Sequence, residues 1–354
     1  MRPQSTPCSN LRCWVPGRVA AVFLALFLLA AGCQSIGVKP APRPTHFDNW
    51  RISFGTESEL SPRSRQTLRQ FDLESTYEEN PEAALVQLQH RLPEPPPPDA
   101  VFALAELSCV LGCAAEKKRP DLATRYFYLC AGYAYHYLFD PLDRARAAGT
   151  PAATLPMDCF DPRFRLAAEL YNLGLAKCLQ AAQRGGVLDP RGSLRLCRGD
   201  GACCILTVSH HGFPWLPEEF GPLQRCGDYE ITGLPNHHRQ FGLGVPLICT
   251  RQPVACAPCA AHYPQPLAFP VTAFFRFPGT LRDLGQQQVG QLELYNPLTI
   301  SAVQVAGWSI PLETDLTTPL AFQLAQSGLD SLAYVGFFSG DTADQRAGVY
   351  LMEP

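Results

Sequence analysis

Apolar positions spaced by three and four dominate residues 58–184, whereas short alternating runs broken by Gly and Pro take over from about residue 196. The first spacing stacks side chains on one face of a helix, and the second on one face of a strand. Asn80-Pro81-Glu82 predicts a helix to Leu92, because Asn caps, Pro suits the first turn and the acid faces the positive helix end. Phe102, Leu107, Val110, Leu111 and Ala114 predict a second helix, capped by Asp99 and running through Lys118. Pro120-Asp121 opens a third, which carries Leu122, Tyr126, Leu129, Cys130, Tyr133 and Tyr137. Asp161-Pro162 opens a fourth, with Phe164, Ala168, Tyr171, Leu175, Cys178 and Leu179, and Gly185-Gly186 ends it.

Short breaks between these helices predict antiparallel hairpins. The arrangement is repeat-like, but the starts at Asn80 and Pro120 are 40 residues apart, not the 34 of a strict tetratricopeptide array. The Tyr-rich stretch from Tyr126 to Tyr137 reads as core packing in preference to a binding face.

The second half predicts strands at Cys204–Val208, Pro270–Phe277, Gln291–Tyr295, Ala302–Val305, Leu332–Phe338 and Gly348–Met352. A short helix capped at Thr318-Pro319 runs through Gln326. The segment from Gly233 to Leu247 is dense in glycine and reads either as a structured loop or as an ordinary connection. The expected class is α+β, with an N-terminal helical-hairpin, repeat-like layer over residues 58–190 and a β-rich module over residues 196–354.

The amino end follows a different pattern. Arg2, Arg12 and Arg18 precede an apolar run from Val19 to Ala31, and Gly32-Cys33 follows. The run is shorter than the roughly 20 apolar residues of a spanning helix. Its layout predicts a secretory signal over residues 1–33 with a lipobox, cut before Cys33, whose thiol takes the lipid (palmitate and its companions). Pro40, Pro42 and Pro44 make residues 34–57 a tether. The expected location is the cell envelope, lipid-anchored on the outer membrane or a periplasm-facing membrane; Gln34 after the cysteine favours outer-membrane sorting.

Charged residues are 17% and the net charge is −3, so nothing forms the basic footprint of a nucleic-acid binder. Of 15 cysteines, Cys8 and Cys13 lie in the signal and Cys33 is the lipid acceptor, leaving an even twelve. In an oxidising compartment an even number predicts some disulfides, although Cys109 and Cys113 suit buried free thiols equally well.

Candidate chemistry is sparse. No G-x-S-x-G occurs; Gly307-Trp308-Ser309 begins like one, but Pro311 stands where the last glycine is needed. No phosphate loop, H-E-x-x-H or dinucleotide fingerprint is present, and no cofactor is expected. Cys256 and Cys259 form a C-x-x-C with His262 three residues on, a candidate zinc or redox site whose plainer alternative is a loop disulfide. His210-His211 and His237-His238 are paired, but Gly- and Pro-rich surroundings predict turn or surface positions.

Pro270–Phe277, then Leu294-Tyr295-Asn296-Pro297, then Pro311–Ala321 resemble the leader of bacterial lipoprotein α/β-hydrolases, as do the lipobox, the Tyr-rich helix and Gly233–Leu247. In that family a strand like Gly348–Pro354 leads into the catalytic domain. The resemblance implies an accessory region ending before the oxyanion motif and the G-x-S-x-G serine, so no catalytic residue carries over. The expected function is a membrane-anchored, non-catalytic binding or scaffolding unit. The alternative is a hydrolase with esterase- or lipase-like activity supplied by a missing catalytic half, or an enzyme using a site around His237, His238 and the cysteines. Expected partners are the membrane through the N-terminal lipid, and an envelope protein or a hydrolase domain.

Overall fold

Prolines and capping side chains open the helices where the first backbone N–H groups lack partners inside the helix. The computed structural model describes residues 36–40, 60–116, 118–147, 162–186, 188–197, 203–234, 236–252, 254, 267–284 and 290–327. Cys33, the Cys256–His262 cluster and the strands expected at Leu332–Phe338 and Gly348–Met352 lie outside these residues.

The chain is α+β, helices first and a mixed sheet second. The helices are α1 (Pro62–Gln70), α2 (Glu74–Glu79), α3 (Pro81–Arg91), α4 (Pro98–Ala115), α5 (Pro120–Ala147) and α6 (Pro162–Arg184). Asn80 caps α3 as expected, its side chain accepting from Ala83 N at 3.1 Å. Asp99 does not cap α4: the helix begins one residue earlier, behind Pro97, and Asp99 pairs with Arg163 of α6 instead. Lys118 lies beyond the end of α4. Gly186, at φ +66°, stops α6 in a conformation that costs an L side chain.

Helix α4 is long and apolar enough to cross a membrane, but 72% of it is buried inside the fold. It is apolar nearly all round because neighbours surround it, not because lipid does. Helix α5 crosses α6 closely at Gly174, where a Cβ would lie 2.8 Å from Phe127 O and Ala131 N. The Tyr-rich stretch is core: Tyr126, Phe127 and Tyr133 are buried, and Tyr128 packs against Phe275 and Phe277 of the sheet module.

The sheet strands are β2 (Leu188–Asp189), β3 (Ser193–Cys197), β4 (Cys203–His211), β5 (Phe220–Arg225), β8 (Val245–Arg251), β9 (Ala268–Arg276) and β10 (Gln291–Tyr295). They lie in the order β2-β3-β4-β10-β9-β8-β5. Pairing is antiparallel throughout except between β4 and β10. Four strand steps separate β4 from β5, about 19 Å in a flat sheet. Yet the His210 and Phe220 rings on those strands are 4.3 Å apart. The sheet therefore curls, and both of its edge strands, β2 and β5, contact α6. One apolar core runs from Leu60 in front of α1 to Leu312, joining helices and sheet.

Smaller pairings flank the sheet. Gly37–Pro40, inside the expected tether, forms β1 and pairs antiparallel with β6 (Tyr229–Thr232). Part of the segment is thus held by a strand partner nearly 200 residues away. β7 (Arg239–Gln240) pairs with β13 (Thr314–Asp315). β11 (Ala302–Val305) and β12 (Trp308–Pro311) make a hairpin turned by Ala306 and Gly307, both at positive φ. Gly307 accordingly turns the hairpin while Trp308 and Ser309 open β12, and the tripeptide is not a nucleophile elbow. Helix α7 (Thr317–Gln326) follows; Asp315, not Thr318, caps it by accepting from Thr317 N, Thr318 N and Thr318 Oγ1.

Candidate functional site

The histidine pairs separate. His237 and His238 are exposed, and the His238 backbone bonds to Thr317 and Leu316 at the start of α7. His210 and His211 end β4 and are half-buried, so they occupy a strand and not the expected turn. Alternation on β4 sends them to opposite faces. His210 Nε2 lies 2.7 Å from Pro190 O on the concave side, where burial lowers its pKa.

His211 stands on the convex face with a polar row. Its Nε2 is 2.9 Å from Ser209 Oγ, and Gln291 Nε2 donates to that same oxygen at 2.9 Å. Donation from Gln291 leaves the Ser209 hydrogen for His211. The Tyr295 ring stacks on His211 at 4.8 Å. Glu293, opposite Ser209 in the parallel register, is held by Arg276 Nε at 2.8 Å and Tyr295 OH at 2.7 Å. The carboxylate that would complete a triad is thus spent on an arginine and a phenol. Ser209 also sits within a strand and not on the strained turn that exposes a nucleophile.

Among the described residues no group of three or more His, Cys, Asp or Glu side chains could hold a metal ion. Cys109, Cys113, Cys130, Cys178, Cys226 and Cys249 are free thiols, so the disulfide expectation does not extend to them. Five of the six are buried on helices and strands, and Cys113 is partly so.

The curl creates a different feature. A half-open cleft of about 260 Å³ lies at the seam between the two sheet edges, with the last turns of α6 as its third wall. Leu179 of α6, Leu188 of β2, Leu223 of β5 and Leu247 of β8 give it apolar surface. Gln183 of α6 both donates to Leu223 O and accepts from Leu223 N, the latter at 2.9 Å. Its side-chain amide stands in for the peptide group of a missing neighbour strand, which satisfies and blocks the β5 edge at that point.

Polar groups converge on the same cleft. Arg225 is buried, and its guanidinium donates to Gln180 Oε1 at 3.2 Å and lies 3.5 Å from Asp228 Oδ1. Burial lowers its pKa, with Asp228 opposing; an arginine nevertheless stays charged. Tyr229 OH donates to Gln224 Oε1 at the rim. Arg184, exposed in the last turn of α6, offsets the negative helix end. Sequence reasoning missed this site because its walls come from residues 179–188, 223–229 and 247, three separate stretches.

No protein-family profile, curated protein or solved structure matches the chain.

Proposed function

We propose that the chain is a lipid-anchored binding unit of the cell envelope, held at the membrane through Cys33 and related to the leader of lipoprotein α/β-hydrolases. The seam cleft supports the binding role: it joins an apolar floor to a few convergent polar groups, the usual make-up of a ligand site. The anchor rests on Val19–Ala31 followed by Gly32-Cys33. An envelope protein or a hydrolase domain is the partner class.

The Ser209–His211 pair favours a second reading, hydrolysis by this chain itself. The engagement of Glu293 by Arg276 and Tyr295 counts against it. Two measurements test the proposal. In a bacterial host, labelled palmitate should enter the protein and Cys33→Ala should abolish labelling and release the chain from the membrane fraction; an unprocessed, unlabelled cytosolic protein sinks the anchor. Purified protein should show neither turnover of short acyl esters nor a fluorophosphonate adduct. An adduct on Ser209 establishes the hydrolytic reading in its place.

A further inference from the structure

We infer that the seam cleft takes a small monocarboxylate with a short apolar tail, its carboxylate at Arg225 and its tail against Leu179, Leu188 and Leu247. The inference rests on the binding-unit reading and specifies its ligand.

Size comes first. The cleft of about 260 Å³ is many times the roughly 10–15 Å³ that one water needs, and close to the lower end of the ~300–1,000 Å³ of small-molecule sites. A short ligand fills it, and the greater part of a long acyl chain would lie outside. The walls then set the tail: Leu179, Leu188 and Leu247, from α6, β2 and β8, supply apolar side chains against which a short hydrocarbon segment leaves water.

The head group follows from charge. Arg225 is a desolvated cation on the cleft wall, at 6% exposure. Its guanidinium donates to Gln180 Oε1 at 3.2 Å and lies 3.5 Å from Asp228 Oδ1, and both partners line the same cleft. Arg184 adds a second cation at the mouth, so the charged lining is two arginines against one aspartate. A guanidinium fork matches a carboxylate in geometry as well as sign. A cationic head would meet like charge from Arg225 and Arg184, and a neutral head would forgo the charge-assisted pairing.

The test uses the full-length chain in detergent, with hexanoate and hexylammonium as probes. The readout is the methyl resonances of labelled leucines, with binding followed by titration. Hexanoate should shift the Leu247 and Leu188 methyls at millimolar concentration, while hexylammonium should leave them in place. Arg225→Gln should weaken hexanoate at least tenfold. Because that variant removes a buried ion, its fold is checked by thermal melting, and Leu188→Trp, which fills the mouth from the β2 edge, is the second variant and should abolish the shifts. The proposal is overturned if hexanoate produces no shifts in the wild-type chain, if the two probes bind equally, or if either variant, once shown to be folded, binds hexanoate as the wild type does. If hexanoate fails but a neutral probe such as hexanol shifts the same methyls, the ligand class is wrong and the binding-unit reading survives. If no probe shifts them, both fall together with the cleft.

Discussion

Glu106, deep in α4, holds the start of α1 by accepting from both the N–H and the hydroxyl of Ser61, at 2.7 and 2.8 Å. Ser64 donates to the same carboxylate. The side chain of one helix thus supplies the partners that the first turn of another lacks. Burial pushes the Glu106 pKa up, against the pull of these three donors. Glu106→Ala should lower stability by about 2–4 kcal/mol, since it strands several buried donors. Glu106→Gln, which keeps an acceptor, should cost less. Urea titrations of both variants decide this; equal losses would mean that packing and not hydrogen bonding fastens α1.

Asn172 of α6 reaches across to the Gly242–Gly244 stretch, donating to Gly242 O at 3.0 Å and accepting from Gly244 N at 2.8 Å. It also donates to Glu313, whose pKa burial raises from 4.5 to about 8, with Asn172 opposing and Glu169 assisting. A carboxyl whose folded pKa lies above its unfolded value stabilises the fold fully below about pH 4.5. That contribution is lost as pH rises through 8. Glu313→Gln should therefore be the more stable protein at pH 8, by on the order of 1–2 kcal/mol after allowance for its partial exposure, and near parity at pH 4.5. Stability curves that stay parallel across this window would rule out Glu313 as the titrating group.

At Gly174 the two longest helices touch backbone to backbone, and the atoms a Cβ would meet belong to main chain that cannot step aside. Gly174→Ala should cost about 1–3 kcal/mol although alanine is the better helix former. A melting temperature equal to or above that of the wild type would show that the crossing has slack.

Ala306 sits at φ +53° in the β11–β12 turn, next to Gly307 at φ +82°. Left-handed backbone strains an L residue, so Ala306→Gly should stabilise the protein by roughly 0.5–1 kcal/mol, the relief of strain exceeding the added freedom of the unfolded chain. Calorimetry reads the sign directly, and a loss would mean that the turn is not strained.

Cys178 and Cys249 are buried, and burial pushes both thiols up to about 12. At pH 8 iodoacetamide should leave them unmodified in the folded protein and label them on unfolding in urea. Fast labelling under native conditions would mean that the core opens far more readily than its packing implies.

The helices were legible because their signals are local. Asn80 and the Pro81 and Pro120 starts act within one turn, and Gln291–Tyr295 and Ala302–Val305 alternate without interruption. Where the sequence misled, a distant contact intervened. β5 and β8 escaped notice because Glu219, Arg225 and Arg251 lie buried beside or within them, Glu219 and Arg251 paired with each other at 2.9 Å, and charged residues pointing inward spoil the alternation. β1 has no apolar pattern and becomes a strand through its pairing with β6. Asp99 looked like a cap until Arg163, 64 residues on, claimed it.

Sequence alone determined the helix-then-strand order, the Asn80 cap, the lipobox expectation and the lack of a nucleophile elbow. These depend on residue type and on spacing over a few positions, which any chain displays in print. Tertiary structure decided the curl that brings β4 to β5, the engagement of Glu293 away from His211, and the cleft between Leu188 and Leu223. Each of these is set by contacts between groups far apart along the chain, and their energies depend on burial and geometry that exist only after folding.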